Sequence, residues 1–135
     1  LSNYGIQCSL FVNDTIEVAF IYLPFRRNMF HAVRGQGAFL NNNMIKVNDR
    51  ESKSAIVSFG DFTHKREKDR LDELELMVKL SNKVSKIRMF GAASIDFSYV
   101  ACGRTDALII FTKNLWVFIN INIYFLASPV IITSV

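Results

Sequence analysis

The chain is poor in the residues that cross-link or interrupt a fold. Its 135 residues include only two cysteines and two prolines. Cys8 and Cys102 lie far apart, and no Cys-x-x-Cys or Cys/His spacing accompanies them, so neither a disulfide framework nor a zinc site is predicted. Two such cysteines are typical of buried free thiols in a reducing compartment. The first ten residues also lack a basic segment followed by an apolar run, which predicts a cytoplasmic protein.

Charge is missing from the last part of the chain, where no charged residue follows Lys113. An uncharged stretch of about twenty residues is long enough for a membrane-spanning helix. However, Asn120, Asn122 and Pro129 dilute its apolar character, and no positive cluster flanks it, which disfavours a membrane anchor. Three interpretations of the atypical tail 117–135 stay open: a frameshifted or mispredicted sequence, a buried strand and helix, and a true anchor.

The composition elsewhere suits one globular domain. Half of the residues are apolar, so a sizeable core is available. The formal charge of +4 and the pI near 9.2 permit contact with anions. Because the basic residues are scattered and do not alternate with aromatic ones, the sequence does not predict binding of nucleic acid.

Hydrophobic patterning divides residues 1–116 into two halves. Residues 1–47 are β-rich, and residues 54–116 alternate between strands and helices, which predicts an α/β fold with helix-sheet-helix layering. In the second half a helix is expected over 65–82, with a one-sided apolar stripe formed by Leu71, Leu74, Val78 and either Leu80 or Ser81. The strands expected from β-branched and aromatic runs cover 5–12, 15–23, 29–33, 44–47, 55–59, 86–90 and 106–111.

A run of small residues stands between a predicted strand and a predicted helix. Gly91, Ala92 and Ala93 carry almost no side chain, so a ligand can approach the free N–H groups of the helix start. Gly103 ends that helix, because glycine adopts the left-handed conformation easily. The pattern predicts a substrate-binding site at Gly91, Ala92, Ala93 and Ser94. Purely structural use of the small residues is the alternative, and for Ser94 the favoured interpretation is that it helps the helix to start.

Two sequence blocks together resemble the inositol monophosphatase family of magnesium-dependent phosphomonoesterases. The first block has the order Gly-small-Ala-small-apolar-Asp and then Val-Ala-x-Gly-Arg-x-Asp-Ala, over residues 91–96 and 100–107. The second block, over residues 24–41, contains Ala-x-x-Gly-x-Gly-Ala-Phe-x-Asn, from Ala32 to Asn41. The blocks follow the order of the family, and the resemblance extends over residues 1–116. It implies the sandwich fold of inositol monophosphatases and fructose bisphosphatases, in incomplete form.

The resemblance also implies a metal centre for which the chain lacks ligands. The family motif Asp-Pro-x-Asp-Gly-Thr belongs just upstream of residues 1–5 and does not occur here. A metal-binding Asp is expected directly after Trp116, where Val117 stands, and a substrate-contacting Glu is expected at Ile110. Magnesium requires oxygen ligands, which neither Val nor Ile supplies. The resemblance thus implies Mg²⁺ as cofactor, but the sequence assigns neither a catalytic nor a metal-binding residue.

The predicted function is that of a fragment of a phosphatase for inositol or sugar phosphate monoesters, inactive as this chain. Family members that act on nucleotide phosphates tend to carry Lys where Asp96 stands, which favours a small phosphorylated polyol or sugar as substrate. A homodimer is left open. The alternatives are a non-catalytic interaction module and a membrane-tethered descendant of the family.

Four polar residues receive structural interpretations. His31 and His64 are too isolated to form a metal-binding or catalytic pair. Asp96 is expected to pair locally or with Arg104. Asp106 is expected to have a structural role at the start of a strand.

Overall fold

The computed structural model describes residues 3–62 and 66–111. Its first sheet is an antiparallel meander of five strands, in which each strand pairs with the next one along the chain. All five strands lie within residues 1–47, and one of them, β4, is a strand that the sequence patterning missed. The strands are β1 (Ile6–Val12), β2 (Thr15–Leu23), β3 (Asn28–Val33), β4 (Gly37–Leu40) and β5 (Asn43–Ile45).

Tight turns with positive φ angles connect these strands. Asn13 and Asp14, at φ 48° and 58°, join β1 to β2, as the two central residues of a hairpin turn that follows strand twist. Asn41, at φ 53°, lies between β4 and β5. Its side-chain Oδ1 accepts a hydrogen bond from the backbone N–H of Met29 at 2.9 Å, so this turn is also tied to β3.

The second sheet has three parallel strands in the order β7-β6-β8. Parallel neighbours need long crossover connections, and here helices supply them: α1 follows β6, and α2 lies between β7 and β8. The predicted alternation of strands and helices is confirmed, and the fold class is α/β. The elements are β6 (Ile56–Phe59), α1 (Glu67–Ser81), β7 (Lys86–Arg88), α2 (Ala93–Ala101) and β8 (Ala107–Ile109).

The core lies between the first sheet and α2. One face of β2 buries Ala19, Ile21 and Leu23, which alternate along the strand as expected for a half-buried sheet. Every residue of α2 from Ser94 to Ala101 is buried. A helix that is buried on all sides belongs to the interior of the layered structure, so α2 is held firmly at the centre of the molecule.

Helix α1 differs from the prediction in its orientation. The predicted helix is confirmed, but its apolar stripe does not face the core, because Leu71, Leu74 and Val78 are 57%, 41% and 63% exposed. The buried residue on this helix is Glu73. Sequence periodicity identifies an apolar stripe but not the surface on which the stripe packs. In the part of the chain that the structure describes, the stripe on α1 is not covered by another element.

Candidate functional site

A glycine with free space around its Cα precedes the start of α2. Strand β7 ends at Arg88, and Gly91 follows with φ +76°, a left-handed conformation that favours glycine. A Cβ added to Gly91 would meet no heavy atom within 4 Å. The backbone is therefore approachable at this point.

The first turn of α2 presents backbone donors. The N–H groups of Ile95 and Asp96 donate to the carbonyl of Ala92, at 2.9 and 3.2 Å. The N–H groups of Ala93 and Ser94 precede these bonds and so have no acceptor within the helix. No side chain caps the start, because the N-cap residue is Ala92. This end of the helix can therefore donate hydrogen bonds to an anionic or hydroxyl-bearing ligand, and the helix dipole favours negative charge there.

Ser94 differs from the other three predicted site residues, because its side chain is buried. A Cβ on Gly5 would lie 2.6 Å from Ser94 Oγ and 3.0 Å from a methyl group of Leu23, so Gly5 and Ser94 are in close approach. The hydroxyl of Ser94 therefore lies beside Gly5, just before β1, and no side-chain hydrogen bond caps the start of α2. Gly91, Ala92 and Ala93 are exposed or half-buried. The structure thus brings three of the predicted residues together at the accessible helix start, while Ser94 adds only its backbone N–H.

Asp96 is a buried carboxyl group behind this start. Burial raises the pKa of Asp96 to about 7, a hydrogen bond with Ser58 opposes that rise, and the charge of Asp61 adds to it. Arg104, one of the partners considered from the sequence, lies over the ring of Tyr99 at 4.9 Å. The hydrogen bond of Asp96 with Ser58 on β6 is a long-range contact that periodicity along one helix could not reveal.

The sequence profile of the inositol monophosphatase family matches residues 1–132. The chain belongs to the inositol monophosphatase family. The Nus factor SuhB of Escherichia coli K12 is 29% identical over 106 residues, which are 78% of this chain and 40% of that protein. Among solved structures, the extragenic suppressor protein SuhB of Bartonella henselae superposes with a TM-score of 0.83 at 29% identity, covering 91% of this chain and 47% of that one. An inositol monophosphatase from Anabaena gives 0.81 at 26% identity, covering 91% and 51%.

These matches confirm the predicted family and fold, and the chain is shorter than the relatives that it matches. It spans about half the length of the solved inositol monophosphatases and 40% of the Escherichia coli relative. The similarity to the family, first seen in two sequence blocks, is therefore also present in the three-dimensional structure.

The metal centre implied by the inositol monophosphatase family has no counterpart among the described residues. In residues 3–62 and 66–111, no three His, Cys, Asp or Glu side chains converge in a way that could hold an ion. Ile110, at the position where the family has a substrate-contacting Glu, is half-buried against β6, since a Cβ on Gly60 would lie 2.8 Å from its Cγ1. Trp116 and Val117 lie outside the described residues. The described residues do not fit a magnesium site.

Asp106 has the structural role expected from the sequence. Its Oδ2 accepts hydrogen bonds from the backbone N–H of Ile56 at 2.7 Å and from Arg50 at 3.0 Å. These bonds tie the start of β6 to the entry of β8. Asp106 therefore holds two parallel strands in place.

The remaining candidate residues have packing or surface positions. The His31 ring stacks on Phe39 at a centroid distance of 5.3 Å, and His64 lies outside the described residues. Cys8 is exposed and Cys102 half-buried; burial raises the pKa of the Cys102 thiol, with Arg104 opposing the rise. The expectation of two buried thiols is thus wrong for Cys8, which lies on an edge strand.

None of the described helices is long and apolar enough to cross a membrane. The atypical tail 117–135, on which the anchor interpretation depended, lies outside the described residues. Its three interpretations stay as predictions.

Proposed function

We propose that this chain supplies a substrate-holding wall of a metal-dependent phosphomonoesterase of the inositol monophosphatase family. In this proposal the N–H groups at the start of α2 hold a small phosphorylated polyol or sugar. The observation that carries it is the accessible turn from Gly91 to Ala93, in a chain that matches the family over residues 1–132. Family membership supports the class of reaction. The accessible backbone N–H groups support a substrate-binding role for the start of α2.

The chemistry assigned to these residues is binding and orientation. Two backbone N–H groups at a helix start donate fixed hydrogen bonds, and the aligned peptide dipoles favour an anion. The small residues at 91, 92 and 93 leave room for the ligand. Activation of water on magnesium belongs to the family as a whole, and the described residues do not fit that ion. No step of hydrolysis is therefore assigned to this chain.

The test removes one backbone donor without disturbing the helix. Ala93 is the first helical residue, and Ala92 before it is extended at φ −154° and ψ 119°. Proline is favoured at that first position and requires an extended residue before it. Ala93→Pro should therefore fold normally but weaken the binding of inositol-1-phosphate roughly tenfold, or ~1.4 kcal/mol, the contribution of one charge-assisted hydrogen bond.

Binding is measured by amide chemical shifts during titration with inositol-1-phosphate, with inorganic phosphate and free inositol in parallel. The matched control is Glu67→Pro at the first position of α1, where Arg66 is likewise extended. If shifts do not cluster at residues 91–94, or if both proline variants bind equally well, the proposed wall is wrong. The two single-component titrations identify whether the phosphate or the hydroxyl groups make the contact.

A second function, that of a non-catalytic interaction module, is favoured by the exposed apolar stripe on α1. Leu71, Leu74 and Val78 lie together on an outer helix face, and such patches are typical of contact surfaces. Relatives of this chain bear the name Nus factor. This candidate predicts protein contacts that depend on the stripe and are indifferent to Ala93→Pro. A cytoplasmic location is part of both proposals.

A further inference from the structure

The short segment before β1 lies against the turn that leads into α2. The side-chain amide of Asn3 donates a hydrogen bond to the backbone carbonyl of Phe90 at 3.1 Å, although the two residues are 87 positions apart in sequence. Gly5 approaches Ser94 so closely that an added Cβ would lie 2.6 Å from the Ser94 Oγ. The segment therefore contacts the turn at two points, one before and one after its central glycine.

The peptide group between Phe90 and Gly91 has few other contacts to fix its orientation. Within the part of the chain that the structure describes, no backbone–backbone hydrogen bond joins either residue to another. Gly91 has a φ of +76°, and glycine adopts several backbone orientations at similar cost. The ring of Phe90 packs edge-on against Tyr99 at a centroid distance of 5.0 Å, but a packed ring does not fix the direction of its own backbone carbonyl. Among the described residues, the hydrogen bond from Asn3 is therefore the contact that selects one orientation of this peptide.

A fixed carbonyl also fixes the backbone donor in the same peptide group. The peptide group is planar and trans, so the carbonyl of Phe90 and the N–H of Gly91 form one rigid unit and point in opposite directions. Because the carbonyl points to Asn3, the N–H points away from it. Gly91 is exposed, and its N–H donates to no backbone carbonyl of the described residues. This donor is therefore available to a ligand, close in sequence to the N–H groups of Ala93 and Ser94.

We propose that Asn3 is a positioning residue for ligand binding, which holds the Phe90–Gly91 peptide so that the Gly91 N–H joins the backbone donors at the start of α2. This inference rests on the proposed function, because the ligand is the same small phosphorylated polyol or sugar. It adds a third donor to those of Ala93 and Ser94. It also gives the β-rich half of the chain a role in a site that is built on the α/β half.

The size of the expected effect follows from the strength of one hydrogen bond. Loss of a neutral hydrogen bond shifts an equilibrium by up to about fivefold. The apparent dissociation constant of a ligand rises as the fraction of molecules in the binding-competent orientation falls. Asn3→Leu keeps the approximate size of the side chain and removes its donor without adding charge. It should therefore raise the dissociation constant for inositol-1-phosphate about two- to fivefold.

Two measurements on the whole chain test the proposal. Amide spin relaxation, including relaxation dispersion, should report a rigid Gly91 in the unaltered chain and added motion of Gly91 in Asn3→Leu, whereas Ile95 within α2 should stay rigid in both. Titration with inositol-1-phosphate, followed by amide chemical shifts, gives the two dissociation constants. The matched control is Asn82→Leu, which removes an exposed amide that donates to a backbone carbonyl at the end of α1 and should change neither quantity.

Added motion at Gly91 together with weaker binding in Asn3→Leu, and neither change in Asn82→Leu, supports the proposal. Unchanged motion in Asn3→Leu, an unchanged dissociation constant, or an equal effect in the control overturns it. In those cases, binding by the unaltered chain with shifts at residues 91–94 leaves the proposed function standing. If the unaltered chain shows no shifts at residues 91–94, the proposed function is itself wrong, and the positioning role of Asn3 is overturned with it.

Discussion

Asp96 illustrates how burial changes the chemistry of a single residue. Its side chain is 2% exposed, and burial raises its pKa to about 7, from an ordinary value of 3.8. Folding therefore favours the protonated carboxyl group. Between about pH 4 and pH 7 the folded protein binds more protons at Asp96 than the unfolded chain does, so this group lowers stability progressively as the pH rises through that window.

The resulting prediction concerns Asp96→Asn, which replaces the carboxyl group by a neutral group of the same shape. The free energy of unfolding of the unaltered chain should fall by a few kcal/mol from pH 4 to pH 7, because one pKa unit corresponds to about 1.4 kcal/mol. The variant should lose most of that dependence. Urea titrations at intervals of pH measure both, with Asp72→Asn, an exposed carboxyl on α1, as the control. Equal pH slopes for Asp96→Asn and the unaltered chain would contradict the assignment.

At the scale of elements, the two helices contrast in how they are held. Helix α2 is buried from Ser94 to Ala101 and packs on β2, whereas α1 exposes its apolar stripe. A helix stabilised by its packing depends on the side chains that pack, and exposed side chains contribute little. The side chains of α2 should therefore contribute more to the free energy of unfolding than the apolar stripe on α1 does.

The corresponding prediction compares alanine substitutions on the two helices. Phe97→Ala, at a 2% exposed residue, should lower the free energy of unfolding by about 3–5 kcal/mol, because it leaves a cavity in the core. Leu71→Ala and Val78→Ala should each change it by at most about 0.5 kcal/mol. Denaturant unfolding gives all three values. A loss above about 2 kcal/mol at Leu71 or Val78 would mean that the stripe is covered in solution.

At the scale of the whole molecule, the chain combines a family fold with an incomplete site. The chain superposes over 91% of its length on about half of a solved inositol monophosphatase. The described part supplies backbone donors at the start of α2, but no converging carboxylates. The metal-dependent reaction of the family requires oxygen ligands that this part does not provide.

We therefore predict that purified residues 1–135 hydrolyse inositol-1-phosphate no faster than a buffer blank, with or without magnesium. Phosphate release over time measures this, and an intact family member serves as the positive control. Magnesium-dependent turnover that survives repurification, and that is weakened by Ala93→Pro, would show that the chain forms a complete site. The Ala93→Pro binding test remains informative whichever result is obtained.

The sequence by itself determined the family, the α/β class and the order of most elements. Turn residues such as Asn13 and Asp14, and the small residues before α2, have local conformational requirements that appear directly in the sequence. The strand β4 was missed because its four residues lie between two turns and are too few to show alternation. Local structure could therefore be predicted from the sequence wherever a residue restricts its own backbone conformation.

Tertiary structure alone decided which surfaces meet. The sequence could not show that the stripe on α1 faces outward, that Ser94 lies against Gly5, or that Asp96 contacts Ser58 of β6. Each of these depends on residues that are distant along the chain, and periodicity constrains one element at a time. Burial, and with it the pKa of Asp96, arises only when the elements pack together, because it is the neighbouring elements that exclude water from a side chain.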